Sequence, residues 1–280
     1  MKLHNLSIIA MLVVPFCKIQ STFFSSDVKN ISFISFNNTS IALQPLIDKI
    51  KGVCALIEAL LVDLKCCNGK SSVNETTIRQ SFIFSALWGL GGGLDSASKQ
   101  KFETFVREQF PEYSDSFANI NNLWTSFLDL KQQSFVEWSG SLLEATFDRA
   151  VSLSRQFVPS VDTMALHYVA EKMLAMDRPV LIVGPTGCGK SKLCNALVKR
   201  SRKTELWTTQ NIHFSRFTGA AEVRRSLRMK LVKKAGNSLG APNKKKMLFF
   251  IENVTTPAQN GNESSSVEIL RPSWKTSSVI

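Results

Sequence analysis

Residues 179–191 read PVLIVGPTGCGKS, and this stretch puts a strand, a glycine loop and a helix start in the order that phosphate binding needs. Val180–Val183 is a short apolar run rich in β-branched residues, which predicts a strand of a parallel sheet covered on both faces. Gly184, Gly189, Lys190 and Ser191 then occupy the fixed positions of the P-loop pattern G-x-x-x-x-G-K-[ST]. Gly184, Gly187 and Gly189 let the backbone fold tightly and aim its N–H groups at one centre, against the positive end of the next helix. The candidate cradle is therefore Gly184, Pro185, Thr186, Gly187, Cys188, Gly189, Lys190 and Ser191. In such a cradle Lys190 reaches the β/γ-phosphates and the Ser191 hydroxyl completes a Mg²⁺ shell.

Working downstream, SKLCNALVKR (191–200) continues as the helix after the loop, TELWTTQNIHFS (204–215) reads as a strand running into a loop, and GAAEVRRSLRMKLVKK (219–234) as a basic helix. GNSLGAPN (236–243) turns, and KKKMLFFIEN (244–253) supplies a second buried strand, Met247–Ile251, that ends in Glu252. An apolar strand that carries a carboxylate to the metal side of a phosphate loop is a Walker B arrangement. Glu252 and Ser191 are thus the candidate Mg²⁺ residues.

Working upstream, the spacing is helical. Leu46, Ile47, Ile50, Val53, Cys54, Ile57, Leu60, Leu61 and Leu64 recur at three and four residues within 41–67. Thr76–Leu90 predicts a second helix, stopped by the run Gly91–Gly93. Asp95 caps a third, stopped by Pro111. A further helix is expected over about 114–130, then a looser segment containing Trp138. VPSVDT (158–163) opens the helix that leads into the P-loop strand. The first half is accordingly expected to be all helical, with a domain boundary between about 131 and 158.

Composition bounds the function. The 280 residues are 44% hydrophobic and 20% charged, enough for one large or two ordinary domains with a core. Lys and Arg outnumber Asp and Glu by 34 to 22, and much of the excess lies after residue 190. Neither an interleaved aromatic platform nor a nucleic-acid motif accompanies these basic clusters, so they read as solvated faces and interdomain contacts, with no nucleic-acid partner expected. The six cysteines lack zinc-ligand spacing, and the three histidines, His4, His167 and His213, carry no nucleophile signature. Trp88, Trp124 and Trp138 fall on apolar faces and read as core. Cys188 inside the phosphate loop would foul binding if oxidised, which favours a reducing compartment.

Against that, MKLHN followed by LSIIAMLVVPF has the charged start and apolar middle of a secretory signal, with a poor cleavage site after it. About 11 apolar residues are too few to span a bilayer. The stretch is read as a buried helix or a mis-assigned first exon, and no membrane partner is expected.

Taken together, SFIFSALWGLGGGLDSASKQKFETFVREQF (81–110), FVEW (135–138), VPSVDT, the loop at 179–191, IHFSRFTGAAEVRRSLRMKL (212–231) and KKKMLFFIENVTTPA (244–258) resemble successive landmarks of the dynein heavy chain. The match runs from the end of its second AAA+ module into its third, in order, over roughly residues 41–271, and looks axonemal rather than cytoplasmic. The resemblance implies an incomplete α/β P-loop (AAA+) core preceded by an all-helical, lid-like domain. Residues 1–40 would be an apolar and irregular segment, 41–130 the lid of the preceding module, 131–158 a linker, and 159–280 a partial nucleotide-binding domain. It further implies ATP and Mg²⁺ as cofactors at a regulatory site. Partners would be other heavy-chain modules, intermediate and light chains, and microtubules. The location would be the cytoplasm and cytoskeleton, including the ciliary axoneme, where the family drives minus-end-directed movement and ciliary sliding.

Two features depart from the family. The Walker B strand usually ends in two acids, the first for Mg²⁺ and the second to polarise water; here they are Glu252 and Asn253. Asn253 stands at the catalytic-acid position and cannot accept a proton, so nucleotide binding with slow or absent hydrolysis is expected. The second is length: about 28 residues follow Glu252, too few for a sensor strand, arginine finger, stalk or tail, so the chain reads as a fragment, truncated product or partial gene model. The competing readings are a freestanding P-loop ATPase or kinase, and a degenerate AAA+ remnant that acts as a binding module.

Overall fold

Helix α1 runs Leu46–Asn68 and α2 Glu75–Gly91, and the two pack along one another. A computed structural model describes residues 46–68, 75–113, 117, 120–130, 132–141, 152, 156–203, 207–234, 239–254, 256 and 265–270. The apolar N-terminal stretch, the irregular 20–40 segment and most of the 68–74 break lie outside the described residues. Contacts divide the chain into two compact units, and the division falls inside the loop, between Pro185 and Thr186.

In the first unit, Leu56, Leu60 and Leu64 recur every four residues on α1 and are almost fully buried. That is the face the sequence spacing marks as apolar. They meet Ile83, Phe84, Leu87 and Trp88 of α2 in one core. Each such side chain contributes about 2 kcal/mol on burial. Helix α3, Ser96–Gln109, starts where expected: the Ser98 N–H donates to Asp95 Oδ1 at 2.9 Å, and α3 adds Phe102 and Val106 to the core. Helix α4, Val161–Ala175, opens on a capping box in which Ser160 and Thr163 satisfy each other's backbone N–H groups. It packs on α1, to which Lys172 is tied by an ion pair with Asp63. Trp88 and Trp124 meet edge to face at 5.4 Å, and Trp138 stacks on Phe127 at 4.2 Å, so the three tryptophans are core.

The helix expected over 114–130 is corrected. Asn122 accepts the Trp124 N–H and caps a 3₁₀ turn, Leu123–Thr125, and the chain then extends as β1, Ser126–Asp129. Strand β2, Ser134–Glu137, returns antiparallel to it, from Ser126 opposite Glu137 to Asp129 opposite Ser134. The burial of Ser126 and Leu128, against half-exposed Phe127 and Asp129, is a period of two. The first unit is therefore helical with one hairpin, not all helical.

The second unit begins with α5, Lys190–Lys203. Strand β3, Trp207–His213, pairs in parallel with β6, Lys246–Glu252, in register from Trp207 beside Lys246 to His213 beside Glu252. Helix α6, Ala220–Arg228, connects them, and the short pair β4, Val232–Lys233, and β5, Leu239–Gly240, lies between. Val223 and Leu227 of α6 bury against Ile212, Phe214 and Leu270, the last just beyond the one-turn helix α7, Ser265–Glu268. β6 is half-buried rather than fully buried.

The strand expected at Val180–Val183 is also corrected. Among the described residues this run pairs with nothing, and Val180, Leu181 and Val183 are 39%, 63% and 50% exposed. A parallel strand draws its stability from a ladder on its edges and cover on both faces. Composition alone gives the run its apolar side chains but not those neighbours.

Candidate functional site

The candidate cradle starts from two glycines. Gly187 and Gly189 adopt φ of 88° and 89°, the left-handed region that any side chain would strain. An ideal Cβ built on either would meet no atom within 4 Å, so the loop is open on the side where the glycines lack side chains. The left-handed residues alternate with Cys188 and hand the chain to α5 at Lys190, where the Leu193 N–H donates to the Gly189 carbonyl at 3.0 Å. The first turn of any helix carries N–H groups without intrahelical acceptors, which makes it receptive to an anion. Thr186 to Gly189 and Ser191 are exposed. The Lys190 ammonium lies 3.7 Å from the Cys188 thiol. Gly184 and Pro185 fall on the other side of the contact division and are described with the first unit.

Opposite the loop in sequence, Glu252 ends β6. Parallel strands present ligands at their carboxyl ends, and the register brings a second polar residue to that end: His213 of β3. His213 Nδ1 lies 2.6 Å from Glu252 Oε2, and the Phe214 N–H donates to the Glu252 carbonyl at 3.0 Å. The Glu252 side chain is 16% exposed and that of His213 66%. Helix α5 packs on both strands. Burial, and then the negative charge of Glu252, push the Cys194 thiol up to about 11. Ser191 precedes Cys194 by three residues on the same face of α5.

Asn253 follows in the left-handed region at φ 60°, exposed, and its carbonyl accepts the Thr256 N–H at 2.9 Å. Asparagine tolerates this backbone better than other residues with a side chain. An amide there has no proton-accepting capacity at neutral pH.

These residues fit a phosphate with its Mg²⁺. The glycines leave room, the lysine supplies charge, and a hydroxyl and a carboxylate supply hard oxygen ligands. Among the described residues no group of three or more His, Cys, Asp or Glu gathers to hold a metal. A cation here would therefore lean on phosphate oxygens and water, as Mg²⁺ does. No helix among the described residues is long and apolar enough to cross a membrane. The basic stretch on α6 is solvated, with Arg224, Arg225 and Arg228 exposed.

His213 is the residue that reading the sequence missed. The sequence carries only half of the signal: β3 and β6 each end in a polar side chain, but the register that puts those two ends side by side is set by the fold.

Residues 21–140 match a family model described as the dynein heavy chain AAA lid domain, and residues 145–278 one described as the P-loop containing dynein motor region. Human dynein axonemal heavy chain 6 is 29% identical over 253 residues, 87% of this chain and 6% of that one. Human dynein axonemal heavy chain 9 is 28% identical over 211 residues, covering 74% and 5%. The ciliary dynein beta chain of Tripneustes gratilla is 26% identical over 211 residues, again 74% and 5%. The chain thus spans about a twentieth of the length of the curated relatives it matches.

Proposed function

Because the chain belongs to the dynein heavy-chain family, we propose that residues 184–191 bind the phosphates of ATP, that Ser191 and Glu252 hold its Mg²⁺, and that bound nucleotide is hydrolysed slowly or not at all. The observation that carries this reading is the pair of left-handed glycines, Gly187 and Gly189, set directly before the helix that begins at Lys190. Main-chain N–H groups and the Lys190 ammonium grip the phosphates there. Mg²⁺, when bound, neutralises charge on the β/γ-phosphate oxygens. The chain's own contribution at the reacting end is what is missing: Asn253 orients water through its amide but takes no proton from it.

In this proposal residues 41–130 form the lid of a preceding module, 131–158 a linker and 159–280 a partial nucleotide-binding domain whose site regulates a motor rather than powers it. The parent machine is an axonemal motor that moves along microtubules. Its intermediate and light chains and its other heavy-chain modules are the partners. The relatives named as axonemal and ciliary support the location, and the order of lid and P-loop segments supports the module assignment. Binding of a fluorescent ATP analogue, measured beside steady-state turnover, tests it. Binding that Lys190→Ala weakens, with negligible turnover, is the expected result. Brisk turnover dependent on Lys190 would overturn the hydrolysis claim, and binding that Lys190→Ala leaves unchanged would overturn the site.

A further inference from the structure

Glu252 is largely buried, and a buried carboxylate is costly unless its oxygens find donors. One has: Oε2 lies 2.6 Å from His213 Nδ1. A lone pair facing a carboxylate at that distance would be repulsive, so the N–H of the imidazole sits at Nδ1 and donates to Oε2. This is a short, charge-assisted bond. It is fixed by the backbone, because the two residues are direct neighbours in the β3–β6 ladder and the Phe214 N–H extends that ladder onto the Glu252 carbonyl. Of the two carboxylate oxygens, only Oε1 is left for a cation or its water.

We propose that His213 is a positioning residue that restrains Glu252 and thereby sets how strongly nucleotide binding at this site depends on Mg²⁺. The inference rests on the nucleotide reading above and deepens it. With Oε2 taken, a cation gains a single oxygen from this side chain, or else displaces the imidazole to gain both. Glutamate has one methylene more than aspartate, which gives the carboxylate the reach to serve His213 and the α5 side together. Mg²⁺ consequently enhances nucleotide binding only at a higher concentration than an unrestrained carboxylate would need, and His213 is the reason.

The test measures affinity for a fluorescent ATP analogue from EDTA to millimolar Mg²⁺ in the full chain and in His213→Ala, His213→Asn and Lys190→Ala. In His213→Ala the Mg²⁺ concentration for half-maximal enhancement is expected to fall about three- to tenfold, a range set by one exposed charge-assisted hydrogen bond. The asparagine amide nitrogen occupies the place of Nδ1 and can donate to Oε2, so His213→Asn should behave as the parent does. An unchanged Mg²⁺ midpoint in His213→Ala, with Lys190-dependent binding intact, would overturn the role of His213 alone. A His213→Asn midpoint matching that of the alanine variant would overturn the hydrogen-bond account. Binding that Lys190→Ala leaves unaltered would instead remove the nucleotide reading, and this inference with it.

Discussion

The two units differ in what holds them. Among the described residues, those before the loop share a core of nineteen buried side chains, many of them aromatic, whereas those after it gather five, Ile212, Phe214, Val223, Leu227 and Leu270, beside a two-stranded sheet. Polar groups are disposed the other way. The first unit spends them on locking its own loops: Arg107 donates to the Ile120 and Phe117 carbonyls and to Glu103, and Glu103 accepts the Leu123 N–H. The second unit keeps Lys190, Ser191, Glu252 and His213 at an open loop and at strand ends. The larger apolar core lies in one unit and the candidate phosphate-site residues lie mostly in the other.

Substitutions can break or sharpen that contrast. Phe102→Ala removes a side chain that is 2% exposed from the larger core, and should cost the first unit about 3–5 kcal/mol in chemical denaturation. A cost under about 1 kcal/mol would mean that the core is not the organising feature. Arg107→Ala strips two carbonyls of their donor and leaves Glu103 short of a partner, so about 2–3 kcal/mol should be lost in the same assay. Lys190→Ala should weaken binding of the ATP analogue about 10- to 100-fold, equivalent to ~1.4–2.8 kcal/mol, while the thermal midpoint of the protein stays put. Gly187→Ala meets no neighbouring atom, so its cost is the left-handed backbone alone, about 1–2 kcal/mol, and appears as weaker binding.

The smallest effect is kinetic. The Cys194 thiol, pushed up to about 11 against an ordinary value of 9.0, is almost all protonated at pH 8 and should alkylate slowly, while exposed Cys188 should react faster and, on the proposed reading, be shielded by nucleotide. The sign also fixes a pH dependence. A thiol whose ionisation is raised by folding supports the fold below the unfolded value of 9.0, and that support is lost as pH rises from there toward 11. Alkaline unfolding of the second unit should therefore steepen in that window, and Cys194→Ser should flatten it.

Helices were legible because their signals are local. The spacing of Leu56, Leu60 and Leu64, Asp95 as a cap and the Ser160–Thr163 box each act within one or two turns, and each appears where the residues announce it. The β6 run was legible for the same reason: apolar, short and bounded by polar ends. The failures involve partners distant in sequence. Val180–Val183 has a strand's composition, but a strand exists only once another edge meets it. In 126–137, Phe127 and Phe135 belong to the two strands of a hairpin whose turn, with Gln133 at φ 53°, contains neither glycine nor proline to mark it. The loop glycines and the Glu252–Asn253 substitution could be read at once from the sequence. His213 could not, because its importance comes from a register thirty-nine positions away.

Gly89 of α2 has a consequence for how the first unit can move. A methyl group there would stand 2.6 Å from the Val53 Cγ2 and 2.8 Å from the Val53 backbone nitrogen, so the bare main chain of α2 packs directly on Val53 of α1 at that point. A side chain of one rod seated directly on the bare backbone of the other cannot slide by a helical turn without collision, and the rods cannot tilt about the contact without opening a gap on either side. The pair should therefore transmit a push along its length as a single strut, and even a mild Gly89→Ala change would wedge it apart rather than loosen it.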